Sequence, residues 1–156
     1  MLPFPPPVLP FAAHLWVSAR LMPVFAQRKR LDMLLKRATP PAGARAYDDM
    51  AADEIATAVK RAVARPWRMR GRRCLREGLL AFHYLALSGR RPVLRFGIDA
   101  ASVASGGKVR AHCWVSLEGR DIVNEPAPGM SEIMAYDGTV LPVLPAGLSV
   151  EAVGGG

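Results

Sequence analysis

Cysteine is scarce in this chain of 156 residues: only Cys74 and Cys113 occur, far apart and with no Cys-x-x-Cys pair. That excludes a disulfide framework and a cysteine-rich zinc site, and it makes a reducing cytoplasm the expected setting. Only three histidines are present, His14, His83 and His112, none in a metal-ligand spacing. No glycine-rich phosphate loop occurs either, so neither a metal nor a cofactor is expected. Aromatics make up 7% of residues, and within the basic stretch of residues 60–76 the only one is Trp67. A nucleic-acid surface with interleaved stacking groups is therefore not expected. No uninterrupted run of apolar residues is long enough to cross a membrane. The apolar opening of residues 1–26 is broken by Pro3, Pro5, Pro6, Pro7, Pro10, His14, Arg20 and Pro23, and it lacks the basic start of a signal peptide. There is no internal repeat, and the fourteen glycines and fourteen prolines gather at the ends and at turns.

What is present fits one globular core: 51% of residues are hydrophobic and 22% charged. The net charge of +8 is unevenly spread, with eight cations and no acid in residues 60–76. Such a run is most often a solvated face, although it favours acidic partners. Residues 11–37 read as an amphipathic helix with a break at Pro23, which packs on the core or, as the alternative, meets a membrane surface through the cations Arg20, Arg28, Lys29, Arg30, Lys36 and Arg37. A second helix is expected from about Asp48 to Pro66, with Ile55, Val59, Ala62 and Val63 on one face. A third, from about Arg72 to Ser88 between Gly71 and Gly89, is apolar on nearly every side and should be central. The period then changes to strands at 92–98, 109–117 and 120–125, with loops at 105–108 and a turn at Glu118-Gly119, followed by a weak strand at 139–144. Helices first and a small antiparallel sheet afterwards make an α+β fold.

Cys74 stands in the first turn of the apolar helix and follows Arg68, Arg70, Arg72 and Arg73. A helix N-terminus and nearby cations both stabilise a thiolate, which makes Cys74 a candidate nucleophile. A thiolate also needs a base. His83 lies nine residues further along the same helix, roughly 13 Å of rise, so it is a core residue. His14 sits in the apolar opening segment. His112 remains, on a strand beside Trp114, which shares its face and packs over the site. Cys113 points to the opposite face and reads as structural.

The segments CLREGLL at 74–80, RFGI at 95–98, AHCWVSLEG at 111–119 and IVNE at 122–125, in this order and spacing, resemble the leader peptidases of lasso-peptide biosynthesis. Those proteins have a transglutaminase-like, papain-like core in which N-terminal helices and a central catalytic helix pack on a small antiparallel sheet. The resemblance covers roughly residues 60–137. It implies that Cys74 is the nucleophile, His112 the general base, and the reaction the removal of a leader from a ribosomally made precursor through a thioester. It departs from the family pattern in three places. Cys113 stands where alanine is usual, Gly78 where alanine or a small hydroxyl residue is common, and the hairpin is one residue longer. A two-residue turn at Glu118-Gly119 places Glu125 opposite His112 as the residue that orients it; a three-residue turn would give that place to Asn124. The expected organisation is a helical region at 1–59, the catalytic core at 60–145 and a flexible tail at 146–156. That division leaves no room for a recognition domain. The resemblance then implies a separate winged-helix-like leader-binding protein, with the macrolactam-forming cyclase as a further partner. Two rival readings are an acyl transferase or amidase on the same scaffold, and a basic module without enzymatic activity that binds nucleic acid or membrane.

Overall fold

The computed structural model describes residues 4, 9–26, 30–64, 72–105 and 109–141. Expectations for Pro66, Arg68, Arg70, residues 106–108 of the loop and the tail at 146–156 lie outside these residues. The described chain forms helices α1 (Phe11–Ala26), α2 (Leu31–Ala38), α3 (Ala52–Ala64), α4 (Arg73–Leu87) and α5 (Ala100–Ala104), with strands β1 (Pro92–Asp99), β2 (Ala111–Leu117), β3 (Arg120–Val123) and β4 (Met130–Tyr136). The strands make one sheet in the order β3-β2-β1-β4, and every neighbouring pair is antiparallel. The α+β expectation holds.

Helix α4 is the centre because twelve of its fifteen residues are buried. Helices α1, α2 and α3 pack against it on one side and the sheet on the other, so its near-continuous apolar sequence has no solvent face to serve. Its end is set by Gly89, which takes φ 81°. The Gly89 amide donates to the Ala86 carbonyl and the Arg90 amide to the Leu85 carbonyl, the paired closure that a left-handed residue allows. One cluster of buried side chains runs through all of these layers, from Leu15 and Leu35 to Val59, Leu80, Phe96 and Val115.

Several boundaries differ from expectation. Pro23 lies inside α1 and is buried; the helix continues to Ala26, and the next begins at Leu31. Helix α3 starts at Ala52 rather than Asp48, since Asp53 and Glu54 are the acids of its first turn. The apolar opening segment buries His14, Leu15, Ala19 and Met22 against the core. Among the described residues no helix is long and apolar enough to cross a membrane. Residues 139–141 of the expected last strand are not in a strand, and 142–144 lie outside the described residues. The fourth strand is instead 130–136, held to β1 by backbone pairing and by an ion pair of 2.7 Å between Arg95 and Glu132. Register shifts between Phe96 and Gly97. A Cβ at Gly97 would come within 2.9 Å of the Trp114 ring and 3.0 Å of the Ser131 carbonyl oxygen, so the glycine serves both a bulge and a close approach.

His83 is buried beside α2 and stacks on Phe4 at 3.6 Å. Its Nδ1 lies 2.9 Å from the Ala38 carbonyl oxygen. A carbonyl only accepts, so Nδ1 carries the proton and the buried Nε2 is bare. Burial lowers its pKa to about 3. Below pH 6.5 the unfolded chain therefore binds a proton that the folded chain refuses, and stability falls as pH drops from about 6.5 towards 3. Denaturation midpoints measured between pH 7.5 and 4.5 are expected to fall more steeply in the wild type than in His83→Phe, by up to about 1.4 kcal/mol per pH unit. Equal slopes would refute this.

Candidate active site

Cys74 is the second residue of α4, and its partly exposed side chain opens onto a cleft of about 350 Å³. The cleft is walled by Arg73, Asp99 with its ion-pair partner Arg110, His112 and Asn124, and by the chain from Ala127 to Met130. Three separate segments meet here because α4 crosses β2 at its first turns while the β2–β3 hairpin returns the chain beside it. The hairpin turns at Glu118 (φ 52°) and Gly119 (φ 79°), both left-handed as a two-residue connection requires.

The Cys74 sulfur is held well below the usual thiol range, at about pKa 4. The main cause is a hydrogen bond from the Cys113 thiol. Burial opposes it, while the His112 ring and the Cys113 backbone amide add further donors and the imidazolium charge adds attraction. Of the described cations near Cys74, Arg73 lies 3.7 Å from Glu77, and Arg76 is buried with its Nη2 donating to the Ala19 carbonyl. The donors that lower the Cys74 pKa lie on the strand, at Cys113 and His112.

The His112 ring takes its orientation from the main chain. Its Nε2 is 2.9 Å from the backbone carbonyl oxygen of Asn124. That carbonyl only accepts, so Nε2 carries a proton and Nδ1 is the nitrogen left for the thiol. Trp114 stacks along the imidazole at 17° between planes, with centroids 6.4 Å apart. The pKa of His112 is raised, chiefly by its hydrogen bond with Cys74; burial opposes this, while the Asn124 carbonyl and the charges of Cys74 and Glu77 add to it.

The structure therefore brings Cys74, His112 and Asn124 together, and Asn124 closes the set by donating its side-chain amide to the Cys74 carbonyl at 3.1 Å. Glu125 is not brought in. It is exposed, and among the described residues no hydrogen bond joins it to His112. Leu117 does pair with Arg120, as a two-residue turn demands, but the register shifts between Val115 and Ser116, so that Val115 faces Val123. The extra residue, Ile122, slips the strand by one position. Asn124 then leaves the strand at φ 55°, a conformation asparagine tolerates better than most residues. Asn124→Ala, which loses the amide and strains the backbone, is expected to reduce turnover between ~10- and ~100-fold, with Glu125→Ala within about threefold of wild type. The reverse order of effects would restore Glu125.

Two residues near the pair were not singled out as functional from sequence. Cys113 does leave the sheet on the face opposite Trp114, but α4 covers that face, which puts the buried Cys113 thiol beside Cys74. Glu77 is buried one turn after Cys74, and burial raises its pKa against the pull of Arg73 and Lys60. The i, i+3 spacing from Cys74 was the available signal for it. Among the described residues no group of three or more His, Cys, Asp or Glu could hold a metal ion.

The model of one known family matches residues 15–134, which is most of the chain and includes the N-terminal helices as well as the site. No curated protein and no solved structure gives a significant match. With its cysteine-led central helix and four-stranded antiparallel sheet, the chain belongs to the transglutaminase-like superfamily.

Proposed function

We propose that this protein is a cysteine peptidase that removes the leader from a ribosomally synthesised lasso-peptide precursor. The observation that carries the reading is the Cys74 thiolate paired with a His112 ring whose Nε2 is already committed to a carbonyl. Membership in the transglutaminase-like superfamily supports acyl chemistry of the cysteine-protease type, and the leader-peptidase motifs around both residues support the substrate class. In this scheme the thiolate attacks the scissile carbonyl carbon, and His112 passes its Nδ1 proton to the departing amine. A thioester on Cys74 remains. His112, now neutral, takes a proton from water, and the hydroxide equivalent opens the thioester to release the leader acid.

The resemblance also points to a separate leader-binding protein that delivers the precursor and so raises its effective concentration at the cleft, with the macrolactam-forming cyclase as the consumer of the product. The test incubates the purified protein with a lasso precursor, with and without the leader-binding protein encoded beside it, and follows both fragments by mass spectrometry. Cleavage at one bond, accelerated by the partner, is the expected result. No cleavage with the partner present would overturn the reading. Full-rate cleavage unchanged by the partner would overturn its delivery role, and an amine-linked product would move the protein to acyl transfer.

A further inference from the structure

The buried thiol beside the nucleophile has a place cut for it. Gly78 lies one turn after Cys74 on α4, and a Cβ there would come within 3.1 Å of the Cys113 sulfur and 3.0 Å of Leu94 Cδ1. An alanine at 78 would press on the sulfur, so the two departures from the leader-peptidase pattern, Gly78 and Cys113, occupy the same few ångströms. Residues four apart on a helix carry their side chains about 5–6 Å from one another. The Cys113 sulfur, seated against the Gly78 position, thus lies one helical turn from the Cys74 side chain, and its interaction with the Cys74 sulfur is the largest influence on that thiol.

We propose that Cys113 is the resolving thiol of Cys74: when a hydroperoxide oxidises the nucleophile, Cys113 captures it as an intramolecular disulfide, and the site is closed reversibly instead of being destroyed. This rests on Cys74 being the reactive thiol of the hydrolase proposed above. In the first step the Cys74 thiolate attacks the peroxide O–O bond. The O–O bond breaks, the sulfur loses two electrons and becomes a sulfenic acid, and the departing oxygen takes the His112 proton to leave as an alcohol, or as water when the peroxide is hydrogen peroxide. In the second step the Cys113 sulfur attacks the sulfenic sulfur. The S–S bond forms, the S–O bond breaks, and the Cys113 proton leaves with the hydroxyl as water. The order of events follows from the surroundings of each sulfur. Cys113 is fully buried and kept protonated by burial first, by its hydrogen bond with Cys74 second and by the Cys74 charge after that, so it is a poor target for peroxide. Oxidation of Cys74 to the neutral sulfenic acid removes that charge and frees Cys113 to react. A dithiol reductant returns both thiols by exchange.

The experiment treats the full chain with hydrogen peroxide, blocks remaining thiols with a maleimide, and reads intact mass and peptide maps before and after dithiothreitol. Rates of iodoacetamide alkylation at Cys74 are measured in parallel. The wild type is expected to become two hydrogens lighter, to accept no maleimide, and to recover nearly all Cys74 alkylation after reduction. Cys113→Ser is expected to add two or three oxygens at Cys74 and to recover less than about a tenth. Circular dichroism and the alkylation rate before oxidation establish that the variant is folded. Should it not fold, the Cys74–Cys113 peptide in the wild-type map decides by itself. Stable oxygen addition in the wild type, or disulfides only between chains, would overturn the proposal. Failure to cleave any precursor while Cys74 still alkylates rapidly and pairs with Cys113 would count against the peptidase reading alone.

Discussion

Replacing Cys74 with alanine is expected to reduce precursor turnover by at least ~10³-fold while leaving the fold in place. The side chain is only partly buried, at the first turn of α4, so deleting its sulfur empties little packed volume and the loss of rate reports chemistry rather than unfolding. Without the sulfur no thioester can form, and what remains is binding in the cleft. His112→Ala should fall in the same range, because one unit made of nucleophile and base fails when either part is missing. Cys113→Ala is the informative control. It removes a donor to the thiolate but not the thiolate itself, so it should retain turnover near neutral pH. Steady-state rates with matched circular dichroism spectra check this. An active Cys74→Ala beside an inactive Cys113→Ala would overturn the assignment.

The second large effect is on pH dependence. The Cys74 pKa is lowered to about 4 and that of His112 is raised above 6.5, so the thiolate and the imidazolium coexist between those limits. Below about pH 4 the sulfur gains a proton and the nucleophile is lost. Above the raised His112 pKa the ring loses the proton that the leaving amine needs. A bell-shaped kcat/KM profile is expected, its two limbs belonging to the pair rather than to either residue. Removing the largest lowering influence in Cys113→Ala should move the acid limb towards neutrality while the alkaline limb stays nearly in place. Alkylation by iodoacetamide checks the same point without substrate. At pH 5.5 Cys74 should react at more than ~10 times the rate of a thiol with an ordinary pKa, and Cys113 should stay unmodified. A midpoint near 8.5 for alkylation of Cys74 would show that no ion pair exists.

The central features of the fold were legible in the sequence because each has a local cause. Gly89 marks the end of α4, Glu118-Gly119 the hairpin, and the change from helical spacing to alternation after Pro92 the start of the sheet. Strand β4 was not legible. Met130, Ser131, Glu132 and Ala135 carry little strand preference, and the strand exists through its long-range pairing with β1 across a bulge. The acids Asp48 and Asp49 resembled a helix start although Asp53 and Glu54 fill that role. For the site, helix position and elimination among three histidines sufficed to nominate Cys74 and His112. The orienting group did not follow from the same reasoning, since it depended on a one-residue slip at Ile122 that no turn rule announces. The nearness of Cys113 to the nucleophile was not legible for a related reason. Alternation along β2 gave its face correctly, but only the packing of α4 reveals that the nucleophile lies on that side.

The partner of His112 Nε2 is a peptide carbonyl, the one at Asn124, and every amino acid supplies that oxygen. Mutation at this position can alter how the chain turns but cannot delete the acceptor. Descendants of this protein could therefore vary in their third-position side chain while keeping the imidazole aimed. The side chain at the third position is then a poor guide by itself to whether the imidazole is held. What would have to be inherited is the course of the backbone from Ile122 onward: the bulge, the left-handed step at Asn124 and the exit toward Pro126. In that sense this part of the site is encoded as a shape.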